Sequence, residues 1–341
     1  MAAVPIWKDK YVTLGSGDSI LFRILLTDTS EVIYLGRAHK RPGDASITAR
    51  INDICADWLV NVLPGLSQAE FTRITLPVSF TVQASSNGSS WTTKATVKFL
   101  NDWSYDYGYN AATMGMSFPI TGRIDSRMPI VWTGLNVSQV TATIRFTDGS
   151  TATVIIAVEI SDDFNNDYNN DFAQSVRSAG SGTAVFLLDD WDNVAGIDIG
   201  RSSWDVVTDC ARYALYYVNA YGGWDSLLIE GGSLESDALT RHTRAVDYDN
   251  REVVNRGIQD YVNEVDKGFT LHTGWLLGDQ GGMMHHLINS TDVYLYDIAA
   301  GQMIPVVLTD TTCEFKNYRN NGNRLVDYTI RARVAQNRVR R

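Results

Sequence analysis

Three of the five histidines in the 341-residue chain lie in the segment Phe269–Ile298, where they could ligate a metal ion. They are His272, His285 and His286. A zinc protease places two histidines four residues apart, so that both imidazoles leave one face of a helix. His285 and His286 are adjacent, so their side chains diverge on a helix or a strand. A zinc site would need His272 and a carboxylate to converge on one of the pair, and the pattern favours structural histidines.

Other catalytic motifs do not stand out. The chain has no GxSxG elbow, no SxxK and no P-loop, and no GxGxxG follows a strand-like segment. The acidic pairs Asp162-Asp163 and Asp189-Asp190 resemble glycosidase carboxylates, but 39 acidic residues make such pairs common by chance. The sequence therefore predicts no catalytic residue, no cofactor site and no metal site, which indicates a protein that is not an enzyme.

The segment Ser161–Thr183 is rich in asparagine, aspartate, glycine and serine. Its near-repeat DFNNDYNNDF offers alternating oxygen ligands for calcium, but it lacks the glycine and terminal glutamate of an EF-hand loop. A solvated loop with Asx turns explains the same composition. We predict a linker or long loop at residues 161–183.

Alternating apolar residues predict β-hairpins. The runs ITLPVSFTVQ and WTTKATVKFL flank an Asn-Gly dipeptide, and VTATIRFTDGSTATVIIAV contains Asp-Gly; both dipeptides suit tight turns. RYALYYVNAYGGWDSLLIEG predicts two apolar strands around the turn at Tyr221, with a helix from Trp204 as the alternative. The run RLVDYTIRARVAQ predicts a C-terminal strand with arginines on one face.

Two helices are expected between these strands. Ile47, Ile51, Cys55 and Trp58 recur at helical spacing in SITARINDICADWLVNVL, and the apolar residues around His285 predict a second short helix. The fold class is therefore mainly β, with sandwich-like or barrel-like domains built from hairpins and a few short helices. We expect an N-terminal β-rich domain with one helix at 1–160, and an α+β C-terminal domain with a basic last strand at 184–341.

Charge is unevenly distributed along the chain. The formal net charge is −10, which argues against specific nucleic-acid recognition by the whole surface. Eight lysines and arginines face one aspartate in residues 316–341, a net charge of +7, which leaves −17 for residues 1–315. Such a chain is electrically complementary to a second copy of itself, although basic residues also simply solubilise a terminus.

The remaining composition favours a protein made in a reducing cytoplasm. The three cysteines lie far apart and form no CxxC, so we expect free thiols rather than disulfides or a zinc ribbon. The N-terminus shows no apolar signal-peptide region, and no apolar run is long enough to predict a membrane span.

Several stretches together resemble one class of protein. They are IWKDKYVTLG, EVIYLGRAHKRPG, RYALYYVNAYGGWDSLLIEG, and the C-terminal TLHTGWL, MMHHLINST, VYLYD, PVVL and LVDYTIRARVAQNRVRR. This pattern of aromatics, glycines and strand endings resembles virion proteins of tailed phages that infect Bacteroidetes, including the crAss-like phages. The resemblance covers most of the chain but contains no single diagnostic motif.

The resemblance implies a structural protein of the phage tail or tail–neck assembly, a tail hub or tail-assembly component repeated as a ring around the tail axis. It implies assembly in the host cytoplasm, a final location in the virion, and partners that are further copies and other tail or neck proteins. A closed ring repeats a heterologous interface, in which one patch meets a different patch on the next copy. We expect the basic end to meet an acidic surface of a neighbour, and name as interface candidates Arg331, Arg333, Arg338, Arg340, Tyr221 and Trp224.

Two alternatives remain open. One is a glycan- or receptor-binding module of a tail tip, with an aromatic set formed by Trp91, Trp103, Tyr105, Tyr107 and Tyr109. The other is a metal-dependent hydrolase that uses the histidines of the Phe269–Ile298 segment.

Overall fold

Strands dominate the protein. The computed structural model describes residues 4–6, 9–59, 71–72, 78–100, 121–137, 139–157, 180–188, 191–208, 211–245, 258–276, 281–310, 326–335 and 338–340. The strands up to residue 160 are β1 (Val4–Pro5), β2 (Tyr11–Gly15), β3 (Ser19–Leu26), β4 (Val32–His39), β5 (Ile47–Arg50), β6 (Phe71–Thr72), β7 (Val78–Ser85), β8 (Thr92–Leu100), β9 (Thr121–Asp125), β10 (Ile130–Val137), β11 (Gln139–Phe146) and β12 (Thr151–Ala157).

The later strands belong to the second half of the chain. They are β13 (Gly180–Phe186), β14 (Val194–Ile199), β15 (Ser202–Val207), β16 (Tyr213–Val218), β17 (Trp224–Ile229), β18 (Ser233–Ala245), β19 (Ile258–His272), β20 (Val293–Asp297), β21 (Gln302–Leu308), β22 (Thr329–Val334) and β23 (Arg338–Arg340). The helices within the described ranges are α1 (Asn52–Ala56) and α2 (Gly281–Ile288). The prediction of a mainly β fold with a few short helices is confirmed, and neither helix is long and apolar enough to cross a membrane.

The predicted hairpins form with their predicted turns. β7 pairs with β8 and β11 pairs with β12, both antiparallel. Gly88 and Gly149 adopt φ angles of 77° and 83°, which glycine reaches without steric cost. The Asn87 and Asp148 side chains accept hydrogen bonds from backbone N–H groups two residues on, at 3.0 and 2.8 Å. Each turn is therefore stabilised locally, as an Asx turn is.

The first predicted helix is wrong at its start. Residues Ile47–Arg50 form β5, which pairs with β2, Asn52–Ala56 form α1, and residues 60–63 of the predicted helix lie outside the described residues. Ile47 and Ala49 alternate with exposed residues, so the same apolar set fits a strand with one buried face. The buried Asn52 side chain then accepts from Lys10 N and donates to Ile6 O, both at 2.6 Å. These bonds hold α1 against the N-terminal segment.

Buried side chains form two clusters, and the division between them lies N-terminal to the predicted domain boundary. One cluster lies within residues 6–99 and the other within residues 124–332. β1-β8-β7-β3-β4 and the pair β2-β5 supply the first cluster. The predicted linker at 161–183 ends inside β13, because Gly180–Phe186 pairs with β10, and residues 161–179 lie outside the described residues.

Strands from both sides of that linker share sheets. One sheet has the order β10-β13-β6, and a second has the order β12-β11-β14-β15-β9. A third sheet runs β17-β16-β20-β21-β22-β19-β18, with β23 added to β19. The buried faces of the second and third sheets contribute to one core, which includes Trp204 of β15 and Trp224 of β17.

Candidate functional site: a projecting hairpin arm

The histidine segment folds as a short helix docked on the third sheet, as predicted. α2 contacts β16, and its Met283, Met284 and Leu287 are buried in the core. His286 is buried as well, and its Nδ1 accepts a hydrogen bond from the backbone N–H of Ala220 at 3.1 Å. Burial and the neighbouring His285 lower the pKa of His286 to about 4. The imidazole is therefore neutral at physiological pH and acts as a hydrogen-bond acceptor.

The three histidines do not converge. His285 is exposed on α2, whereas His272 lies at the end of β19, with its Nδ1 3.1 Å from Thr329 Oγ1. In the part of the chain that the structure describes, no group of three or more His, Cys, Asp or Glu residues is arranged to hold a metal ion. The contacts of His272 and His286 are those of structural residues.

Cys55 and Trp91, two other residues singled out in the sequence, lie within the described residues. Cys55 is buried, which raises the pKa of its thiol to about 12 and removes it as a nucleophile. The guanidinium of Arg23 lies 4.5 Å from the ring centroid of Trp91. The other named candidates lie outside the described residues, namely Cys210, Cys313, Asp162, Asp163, Asp189, Asp190, Trp103, Tyr105, Tyr107 and Tyr109.

Trp224 is a core residue and not a surface one, which corrects its choice as an interface candidate. Its exposed fraction is 1%, its ring packs against Tyr294, and its backbone N–H donates to Thr133 Oγ1 at 3.0 Å. Tyr221 is half-buried in the preceding turn, where the Asn219 side chain accepts from its N–H at 2.9 Å. The predicted strand pair around this turn is confirmed, and its aromatics mostly fill the core.

The arginine candidates lie on two neighbouring strands. Arg331 and Arg333 project from the exposed face of β22, while Ile330 and Ala332 are buried on the other face. Arg331 lies 3.4 Å from Asp310 of the same chain, so part of its charge is already paired. Arg338 and Arg340 belong to β23, which pairs with the outer part of β19.

The most prominent exposed element is the hairpin of β18 and β19, here called the arm. β18 has 13 residues and β19 has 15, so the arm spans about 44 Å at ~3.4 Å per residue. Every residue of β18 except His242 is exposed. Four large apolar side chains on the arm are among the most exposed of the described residues, namely Leu234, Leu239, Ile258 and Tyr261.

The base of the arm is fixed to the body. Glu235 of β18 accepts a hydrogen bond from Tyr213 of β16 at 2.5 Å and lies 2.8 Å from Lys267 and 2.9 Å from Arg212. The Lys267 hydrogen bond, followed by that of Tyr213, lowers the pKa of the Glu235 carboxyl. The carboxylate therefore stays charged and ties the start of the arm to the third sheet.

The outer part of the arm has fewer partners. β22 pairs with β19 only from Gly268 to His272, and β23 pairs only from Asn263 to Val265. The pairing of β18 with β19 shifts at His242, where Tyr261 is the extra residue of a β-bulge. The rings of His242 and Tyr261 are in contact, with centroids 6.1 Å apart. Within the described residues, the end beyond this bulge is a two-stranded ribbon.

Sequence patterns did not predict the arm. The β18 sequence SLESDALTRHTRA lacks alternation because neither of its faces is buried. Its threonines and the valines of β19 are strand formers, and they were the available signal.

No protein-family model matches the chain, and no curated protein sequence matches it. The geometry defines a mainly β protein with a long exposed arm.

Proposed function

We propose that the protein is a structural component of a tailed-phage virion, a ring-forming tail hub or tail-assembly protein, and that the arm joins neighbouring copies. The sequence resemblance to virion proteins of Bacteroidetes-infecting phages supports the class. The observation that carries the assembly role is the outer edge of β18, which pairs with no strand among the described residues. The protein acts through contacts and not through catalysis, and its final location is the virion.

The edge of β18 is suited to pairing with another chain. β18 ends the strand order of its sheet, so no described strand pairs with its outer edge over 13 residues. Soluble proteins usually shorten, bend or cover such edges, because exposed N–H and C=O groups pair readily with other strands. Leu234 and Leu239 are 65% and 46% exposed on this strand. A long edge with exposed leucines is explained if an assembled partner covers it.

The proposed occupant of this edge is a second copy of the same chain. A ring requires two different patches on each copy, and the chain offers the arm and the body as separate surfaces. The acidic residues 1–315 and the basic end at 316–341 are complementary between copies. β22 and β23 of that basic end both pair with β19, one of the two strands of the arm. Other tail or neck proteins complete the assembly in this proposal.

The arm is tested with paired leucine substitutions. Leu234→Lys with Leu239→Lys places two charges on the edge strand and should reduce assembly by at least about tenfold, since burying unpaired charge is costly. Ile155→Lys is the matched control, because Ile155 is 60% exposed on β12, the end strand of another sheet. Native mass spectrometry measures the oligomer, and circular dichroism checks the fold. Equal assembly of the double variant and the wild type would exclude the arm as the joint.

The basic end is tested separately. Neutralising Arg331, Arg333, Arg338 and Arg340 together should abolish assembly and leave the fold intact. The Arg331–Asp310 pair is exposed, so its loss costs little stability. An oligomer of unchanged size and stability would show that the arginines do not join copies.

A further inference from the structure

A polar cleft of about 520 Å³ lies where β9, the last strand of the second sheet, approaches the ends of β17 and β19. Its walls carry Arg123, Glu230, His272, Trp275 and Asp327. It lies at the base of the arm, because His272 ends β19, and neither exposed leucine of β18 lines it. The cleft is therefore a feature separate from the arm edge that is proposed to join copies.

Trp275 is held at the rim of this cleft with 70% of its surface exposed. Its backbone is fixed, because the next residue, Leu276, is buried and exchanges two 2.9 Å hydrogen bonds with Val326. The preceding Gly274 has a φ of 73°, and this left-handed conformation sets the direction in which the chain continues into Trp275. An exposed indole on a fixed backbone offers a large apolar face to a ligand.

The polar groups of the cleft are ordered as well. Arg123 Nη1 lies 2.6 Å from Glu230 Oε2, an ion pair that links β9 to the end of β17. Asp327 Oδ1 lies 3.4 Å from Thr273 Oγ1, and His272 contacts Thr329. The backbones of residues 230–232 and 272–273 pair closely beside the cleft, and Gly231 N donates to His272 O at 3.0 Å. Two carboxylate acceptors, Glu230 and Asp327, and one guanidinium donor, Arg123, therefore surround the open space of the cleft.

A second, smaller cavity of about 30 Å³ shares Arg123, Glu230 and Trp275 with the cleft. Trp204 lines it and is only 3% exposed, and its Nε1–H has no hydrogen-bond acceptor among the described residues. Leaving such a buried donor without a partner costs about 1–3 kcal/mol. Burial also raises the pKa of Glu230, against the opposing effect of Arg123. A hydroxyl or water within hydrogen-bond distance of Nε1 would satisfy the Trp204 donor.

We propose that the cleft binds a neutral saccharide, with one sugar ring stacked on Trp275 and its hydroxyls bonded to Arg123, Glu230 and Asp327. A pyranose has an apolar face for the indole and a rim of hydroxyls that both donate and accept. The two carboxylates outnumber the single guanidinium, so the cleft disfavours sialylated, sulfated or phosphorylated sugars. Ligand sites commonly combine an apolar platform with a few placed polar groups in this way.

The test is binding of the full-length protein to an array of neutral and acidic oligosaccharides, followed by titration of the best neutral one. Trp275→Ala should weaken binding by about tenfold or more, since aromatic stacking and burial contribute on the order of 1.4 kcal/mol or above. Trp275→Tyr should retain part of the affinity. Trp58→Ala is the matched control, because Trp58 is 38% exposed in the first half of the chain and should leave affinity unchanged.

The outcomes separate this proposal from the assembly role. Trp275→Ala should keep the native mass of the wild type, so a lost oligomer and a lost ligand report on different surfaces. No binding by the wild type to any neutral saccharide would overturn the proposal. Binding only to acidic glycans, or equal affinity of wild type and Trp275→Ala, would overturn it as well.

Discussion

The Nδ1 atom of His286 accepts a hydrogen bond from the backbone N–H of Ala220 at 3.1 Å, and the His286 ring packs on Tyr221. This contact joins α2 to the turn between β16 and β17, two elements 66 residues apart. A histidine that looks like a metal ligand in the sequence thus serves as a buried acceptor in the fold.

Protein stability should fall in mild acid because of His286. Its pKa is about 4 in the fold and ~6.5 in the unfolded chain, so the unfolded state binds more protons between these values. Stability is complete above pH ~6.5, declines as pH falls, and has lost on the order of 3 kcal/mol at pH ~4.

Urea unfolding at several pH values measures this loss. His286→Asn keeps an acceptor for Ala220 and removes the titration, so its stability should depend less on pH in that window. His39→Asn, at an exposed position of β4, is the control. An unchanged pH slope in His286→Asn would contradict the role of this side chain.

Trp224→Ala should destabilise the fold by about 3–5 kcal/mol, because it empties a large buried site. Tyr221→Ala, in the half-buried turn before it, should cost less than half as much. Thermal and urea unfolding of both variants measure the difference. A loss of stability well below this range for Trp224→Ala would contradict the core position of Trp224.

Gly231 and Gly232 are adjacent but should respond differently to alanine. A Cβ at Gly231 would lie 2.6 Å from the carbonyl oxygen of His272, whereas a Cβ at Gly232 meets nothing within 4 Å. Gly231→Ala should therefore lower stability by about 1–3 kcal/mol, because the new Cβ strains the close backbone pairing with His272, as overpacking does. Gly232→Ala should be within ~0.5 kcal/mol of the wild type. Equal unfolding midpoints of the two variants would show that the backbone at His272 moves to accommodate the new Cβ without strain.

Glu235→Ala should loosen the base of the arm, since the side chain bonds Tyr213, Lys267 and Arg212. We expect faster amide hydrogen exchange in β18 and the adjoining part of β19, with little change in the core. Asp237→Ala, at an exposed position two residues along, is the control. If both variants exchange alike, the arm is held by its backbone pairing alone.

Local signals predicted the hairpins and the docked helix, because Asn-Gly, Asp-Gly and one buried face encode them nearby in the chain. The helix predicted over Ser46–Leu63 is wrong at Ile47–Arg50, because Ile47 and Ile51 share one face in either period and pairing with β2 decided for a strand. The arm was not predicted from the sequence, because neither face of β18 is buried and its residues therefore show no alternation. The cleft unites Arg123, Glu230, Trp275 and Asp327, which lie far apart in sequence and meet only through long-range sheet pairing.

The native mass of the purified wild-type protein, with negative-stain images of the same sample, tests the assembly role most directly. We expect a closed ring with one copy number for the wild type, and a smaller species for Leu234→Lys with Leu239→Lys. A 37.8 kDa monomer even at ~1 mM protein, with no difference between wild type and variant, would contradict it.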